Sequence, residues 1–177
     1  PSYLEALSKF IDAPVQGSRF LDIGAGTGDV GAFAQSLGYM VVQSDRNPAG
    51  LPRDNNPISQ SVVAEAEHLP FLDGLFACVH AKDVLVHIAH RMDFFSQVHR
   101  VLHARGVCII SSAESYLKGN GYYPVRKSDL KQSLSQCGFF IEHTVSYRPK
   151  RREWSQDWYG WRNVLVPRFI VVARSRD

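Results

Sequence analysis

Gly24, Gly26 and Gly28 stand at alternate positions directly behind the apolar residues 20–23, in the run F-L-D-I-G-A-G-T-G-D. Glycines spaced in this way let a backbone without β-carbons turn sharply and lie against a bound molecule. Asp45 follows about 20 residues after the first of them, where a carboxylate at the end of a second strand can accept both hydroxyl hydrogens of a ribose. Glu65 lies in the acidic and apolar run 64–71, and Asp83 and His87 share the segment K-D-V-L-V-H-I at 82–88. A carboxylate or imidazole held within reach of a substrate hydroxyl or amine can orient it or take its proton. Each position also has a plainer reading. The glycines can be turn residues alone, Asp45 a solvated strand end, Glu65 and Glu67 a wet loop, and His87 a capping or packing residue.

These side chains need a strand, a turn and a helix to hold them. Residues 20–23 read as a buried strand and 30–37 as a helix, which together make the nucleotide-binding half of a doubly wound α/β fold. Ahead of them, Leu4, Leu7, Phe10 and Ile11 recur at helical spacing within 3–11. A second strand at 40–44 ends on Asp45. The segment 46–57 carries Pro48, Pro52 and Pro57 with Gly50 and paired asparagines, so a loop replaces the usual crossover helix. Strands follow at 58–64 and 75–81, separated by a turn at Asp73 and Gly74. A helix at 92–102 buries Phe95, Val98, Val101 and Leu102, and a fifth strand occupies 107–111. The stretch 128–138 reads as a capped helix with Leu130 and Leu134 inward and Gly138 as its stop. Strands at 139–147 and 169–174 complete the chain.

With 177 residues there is enough chain for one domain with a substantial core and too little for two ordinary ones. The expected unit is 1–177, with a leading helix in 1–18 and an aromatic and basic insertion at 148–168 between the last two strands. Hydrophobic residues at 45% and charged residues at 21% are ordinary for a globular domain. No apolar run approaches the roughly 20 residues needed to span a membrane, so no membrane partner is expected. The chain opens on Pro1, which predicts a piece of a longer one; no basic-then-apolar leader is visible, and the cytoplasm is the expected compartment. Cys78, Cys108 and Cys137 form no C-x-x-C pair and read as core thiols, and no metal site is expected.

From about residue 20 to 110 the chain resembles the class I S-adenosylmethionine-dependent methyltransferases, especially the compact kind of ubiquinone and menaquinone biosynthesis. The resemblance rests on L-D-I-G-A-G-T-G-D at 21–29, Asp45, A-E-A-E-H-L-P-F at 64–71 and H-R-V-L-H-A-R-G at 99–106. A dinucleotide dehydrogenase would carry G-x-G-x-x-G, but the position that needs its third glycine is Asp29. Three features depart from the family's usual text: Ala77 stands where an Asp is common, H-A-R-G replaces K-P-G-G, and the helix after Asp45 is missing. The implied fold is a single doubly wound Rossmann-like α/β domain with a seven-stranded, mostly parallel sheet and an antiparallel last strand. The implied cofactor is S-adenosyl-L-methionine, held by Asp22, Gly24, Gly26, Gly28, Asp45, Arg46, Glu65 and Ala66. In that resemblance Asp22 helps hold the amino group, directly or through water, and Glu65 reaches toward the adenine amino group. Asp83 and His87 are the candidate catalytic residues.

The expected acceptor is a small or medium-sized molecule with an O, N or C nucleophile. Tyr116, Tyr122 and Tyr123 are placed over the mouth. Trp154, Trp158 and Trp161 fall on one helical face, which either packs on the sheet edge or walls the substrate. Lys150, Arg151 and Arg152 are either a solvated face or a grip on RNA or protein. A cofactor-binding protein that no longer transfers methyl groups is the third reading, and a dehydrogenase the fourth.

Overall fold

In the computed structural model, residues 3–51, 59–114, 121–147 and 168–176 are described. A seven-stranded sheet runs in the order β3-β2-β1-β4-β5-β7-β6. Its strands are β1 (Arg19–Ile23), β2 (Met40–Asp45), β3 (Ser59–Val63), β4 (Phe76–Lys82), β5 (Leu102–Ala113), β6 (Phe139–Tyr147) and β7 (Arg168–Ser175). The first five pair in parallel, whereas β7 runs antiparallel to both β5 and β6. Strand order reverses between β1 and β4. A doubly wound sheet opens a crevice beyond the carboxyl ends of its strands at that reversal.

Alternation along the strands builds two cores. Leu21, Ile23, Val79, Ala81 and Ile110 face α3 (Arg91–Val101) and α4 (Lys127–Gln136), packing on Phe94, Phe95, Val98, Leu130 and Leu134. Phe20, Val41, Cys78 and Ile109 face α1 (Tyr3–Leu7) and α2 (Asp29–Ser36), packing on Tyr3, Leu7, Val30 and Ala34. The helix spacing in the sequence marks the buried faces of α3 and α4, whereas α1 buries Tyr3, Ala6 and Leu7 and leaves Leu4 half-buried. Cys78 and Cys108 lie fully within these cores, where burial pushes both thiols up and leaves them inert as nucleophiles.

Several boundaries differ from the expected ones. The leading helix stops at Leu7, and its last turn is finished by Phe10 N–H donating to Leu7 O at 2.9 Å. Strand β5 begins at Leu102 instead of 107, because Leu102 already pairs with Phe76. The H-A-R-G segment is an outward excursion inside that strand: the next pair is Cys78 with Val107, and Arg105 takes a left-handed φ of 62°. Ser128 does not cap α4; it sits in the first turn and its hydroxyl donates to Asp129 Oδ1, while Glu114 Oε1 accepts the Lys127 N–H at 3.2 Å. Finally, Arg168 belongs to β7 and not to the insertion. After β2, the described residues contain only a single tight turn at Pro48–Gly50, as the prolines require.

Candidate functional site

At the reversal of strand order, one cavity of about 310 Å³ opens beyond β1, β2 and β4. Gly24, Asp45, Arg46, Glu65, Ala66, Asp83 and His87, all singled out in the sequence, lie on its wall. Asp22, Gly26 and Gly28 do not. Gly26 is exposed in the turn, and Gly28 enters α2 with a left-handed φ of 80°. Tyr116, the three tryptophans and residues 150–152 lie outside the described residues.

The turn and the carboxylate are fixed to one another through the backbone. Gly24 N–H and Ala25 N–H both donate to Ser44 O, at 2.7 and 3.2 Å, so the glycine turn hangs on the residue preceding Asp45. Asp45 O accepts the Ala64 N–H at 3.1 Å, which brings Glu65 and Ala66 to the same wall. The Asp45 side chain is half-buried, and its Oδ1 accepts the Asn47 N–H at 2.9 Å. Glycine is needed at 24 for two reasons: its φ is +67°, and a β-carbon there would lie 2.5 Å from Val84 Cγ2.

Arg100 shapes the loop that carries Glu65. Its guanidinium donates to Leu69 O at 2.8 Å, Phe71 O at 2.7 Å and Asp73 Oδ1 at 2.6 Å. Two separate stretches of the sequence, 64–71 and 99–106, thus act as one unit. The arginine of the second holds the backbone of the first.

The far end of β4 supplies the groups suited to proton chemistry. Asp83 takes a left-handed φ of 58°, a conformation that costs a non-glycine residue free energy and is retained where the surroundings enforce it. Here Asp83 N–H donates to Ser111 O at 2.8 Å, and its carboxylate pairs with Arg168. His87 lies in the tight turn that follows, with its ring 5.2 Å from that of Tyr122. Burial lowers the His87 pKa, the neighbouring Arg46 cation lowers it further, and Asp83 and Asp45 oppose the shift. The neutral imidazole, a proton acceptor, is therefore favoured near neutral pH.

Sequence reasoning passed over Arg168, Arg100 and His80. His80 is fully buried, and its Nδ1 lies 2.7 Å from Asp22 Oδ1. A readable signal was present: a histidine inside the apolar strand F-A-C-V-H-A has to find a partner once it is buried. Arg168 and Arg100 carried no such signal, since an arginine at an element's end is ordinarily solvated.

Among the described residues there is no cluster of His, Cys, Asp or Glu able to hold a metal ion, and no helix long and apolar enough to cross a membrane.

The strand order, the antiparallel β7 and the glycine turn at the reversal define a Rossmann-like methyltransferase fold. Solved structures share it. One is an S-adenosylmethionine-dependent methyltransferase of Mesorhizobium loti, 18% identical, with 96% of each chain covered and a TM-score of 0.77. Another is the 1,6-didemethyltoxoflavin-N1-methyltransferase of Burkholderia thailandensis, solved with 1,6-didemethyltoxoflavin and S-adenosylhomocysteine bound. It is 20% identical, with a TM-score of 0.70 over 92% of this chain and 72% of that one. Residues 21–110 match the methyltransferase domain family, and the chain belongs to that family. An uncharacterised methyltransferase of Bacillus subtilis, YodH, is 30% identical over 140 residues, or 76% of this chain. The chain spans 57% of that relative's length.

The residues present fit S-adenosylmethionine. Among the described residues the buried Asp22 Oδ2 meets no hydrogen-bond partner, an oxygen open to a cationic donor such as the cofactor's ammonium. Gly24 keeps open a wall that a β-carbon would fill.

Proposed function

We propose that this chain binds S-adenosylmethionine in the cavity beyond β1, β2 and β4 and catalyses methyl transfer to a small or medium-sized acceptor at O, N or C. The observation that carries this reading is the meeting of Gly24, Asp45 and Glu65 with Asp83 and His87 around a single cavity. The sulfonium supplies an electrophilic methyl and a good leaving group, which leaves the protein to bind and orient. Asp45 accepts the ribose hydroxyls, Glu65 and the buried Ala66 flank the adenine, and Asp22 receives the ammonium. His87 takes the acceptor's proton at its unprotonated ring nitrogen. Asp83, already paired with Arg168, orients the acceptor and sets the charge around His87. The run A-E-A-E-H-L-P-F carries the resemblance to the compact ubiquinone and menaquinone kind.

Two experiments bear on it. Incubation with S-adenosylmethionine labelled on its methyl, against a panel of phenols, amines and activated carbon acids, is expected to label at least one acceptor class. Cofactor binding with no label in any acceptor would favour a binding protein instead.

The pH dependence isolates His87. Because its folded pKa lies below the ordinary value of about 6.5, the base form persists down to that value, and turnover is expected to hold from neutral pH upward and to fall only below it. His87→Gln is expected to lower kcat by about 10²-fold or more and to abolish that acid limb. An acid limb unchanged in the variant would remove His87 from the reaction.

A further inference from the structure

Tyr3, His80 and Asp22 form one buried hydrogen-bonded chain from the leading helix to the strand beneath the glycine turn. Asp22 and His80 are direct neighbours in the register of β1 and β4, on the sheet face covered by α1. His80 Nδ1 lies 2.7 Å from Asp22 Oδ1, and His80 Nε2 lies 2.6 Å from the Tyr3 hydroxyl. All three residues are at most 5% exposed. An ionised carboxylate accepts only, so Nδ1 carries the hydrogen given to Asp22, while the Tyr3 hydroxyl, which can donate or accept, meets Nε2. Both ring nitrogens of His80 are thereby engaged, which fixes the orientation of the imidazole.

The hydrogen-bonded chain ends on Asp22 Oδ2, which is buried and has no partner among the described residues. A bare carboxylate oxygen in an apolar core costs free energy that three well-packed apolar side chains would avoid. Lys82 links the same helix to the cavity: it stands on the cavity wall, and its Nζ sits 4.9 Å from the centroid of the Tyr3 ring. The start of α1 therefore lies at the cavity end of the sheet.

We infer that His80 and Tyr3 are positioning residues that hold the Asp22 carboxylate for the ammonium of the cofactor's amino-acid portion, so that α1 is part of the cofactor site. The inference rests on the cofactor reading above. It assigns a binding role to a helix that the sequence marks only by its apolar spacing. It also sets an order of importance. His80 touches Asp22 and Tyr3 acts through His80, so loss of the imidazole is expected to weaken binding more than loss of the hydroxyl.

Calorimetric titration with two ligands tests it. S-adenosylhomocysteine has the ammonium, whereas 5′-methylthioadenosine keeps adenine, ribose and sulfur and lacks the amino-acid portion. The expected result for His80→Leu is a loss of S-adenosylhomocysteine affinity of about tenfold or more, as for a buried charged hydrogen bond left unmade. Tyr3→Phe is expected to lose about threefold, and His80→Asn, whose amide can still donate to Asp22, to lose less than His80→Leu. Methylthioadenosine affinity is expected to stay within about twofold of wild type throughout. Should His80→Leu fail to fold, Tyr3→Phe and His80→Asn decide. Unchanged S-adenosylhomocysteine affinity in folded variants, or equal losses for both ligands, would overturn the inference and leave the cofactor reading standing. A wild-type protein that binds neither ligand would overturn both.

Discussion

Replacing Asp45 with asparagine is expected to weaken S-adenosylhomocysteine binding by about 10- to 150-fold, since it removes one ionised acceptor oxygen and a hydrogen bond to such an acceptor contributes about 1.5–3 kcal/mol. The fold should hardly register the change. Asparagine keeps an oxygen for the Asn47 N–H, the contact that shapes the turn at Pro48–Gly50, and the side chain is half-buried at the rim of the cavity. A shift in thermal midpoint of no more than about 2 °C is expected, corresponding to less than 1 kcal/mol in a domain of this size. The two readouts separate binding from folding. Affinity within threefold of wild type would mean that Asp45 is a solvated strand end.

Gly24→Ala has the opposite signature, with folding and binding failing together. Alanine at a φ of +67° meets the ordinary left-handed penalty of about 1–2 kcal/mol. Its β-carbon also arrives 2.5 Å from Val84 Cγ2, and a β-branched side chain has little rotamer freedom with which to move away. Overpacking of this kind costs about 1–3 kcal/mol, so the sum is roughly 2–5 kcal/mol and a midpoint lower by about 5–15 °C. Both Gly24 and Val84 line the cavity, so relief of the clash displaces its wall and affinity is expected to fall by about tenfold or more. Adding Val84→Ala should restore the part of the stability lost to contact, leaving the backbone penalty in place. A midpoint within about 1 °C of wild type in Gly24→Ala alone would contradict this packing.

These two residues were legible in the sequence because their constraints are local. A glycine turn after an apolar run, and an acid at the next strand end, depend on a few neighbouring residues and on a sheet rule. The two faces of α3 and α4 were legible for a similar reason, since 3.6-residue periodicity is written along one segment. What escaped was held by long-range pairing. Nothing near Asp83 in sequence announces Arg168, and only register makes His80 the neighbour of Asp22. A cap is sought among neighbouring residues, but the first N–H of α4, that of Lys127, is met by a carboxylate distant in sequence, that of Glu114. Strand β5 was drawn short because Arg105 can adopt a left-handed conformation without being a glycine, so an excursion inside the strand looked like its start.

Asp45, Glu65 and the glycine turn converge on one claim, that the cavity at the strand reversal holds S-adenosylmethionine. Calorimetric titration of S-adenosylhomocysteine into the wild-type chain, with Asp45→Asn as its control, tests that claim most directly. Saturable binding at one site per chain, weakened in the control as above, is the expected result. A folded wild-type sample that releases or absorbs no heat, with or without acceptor present, would contradict it.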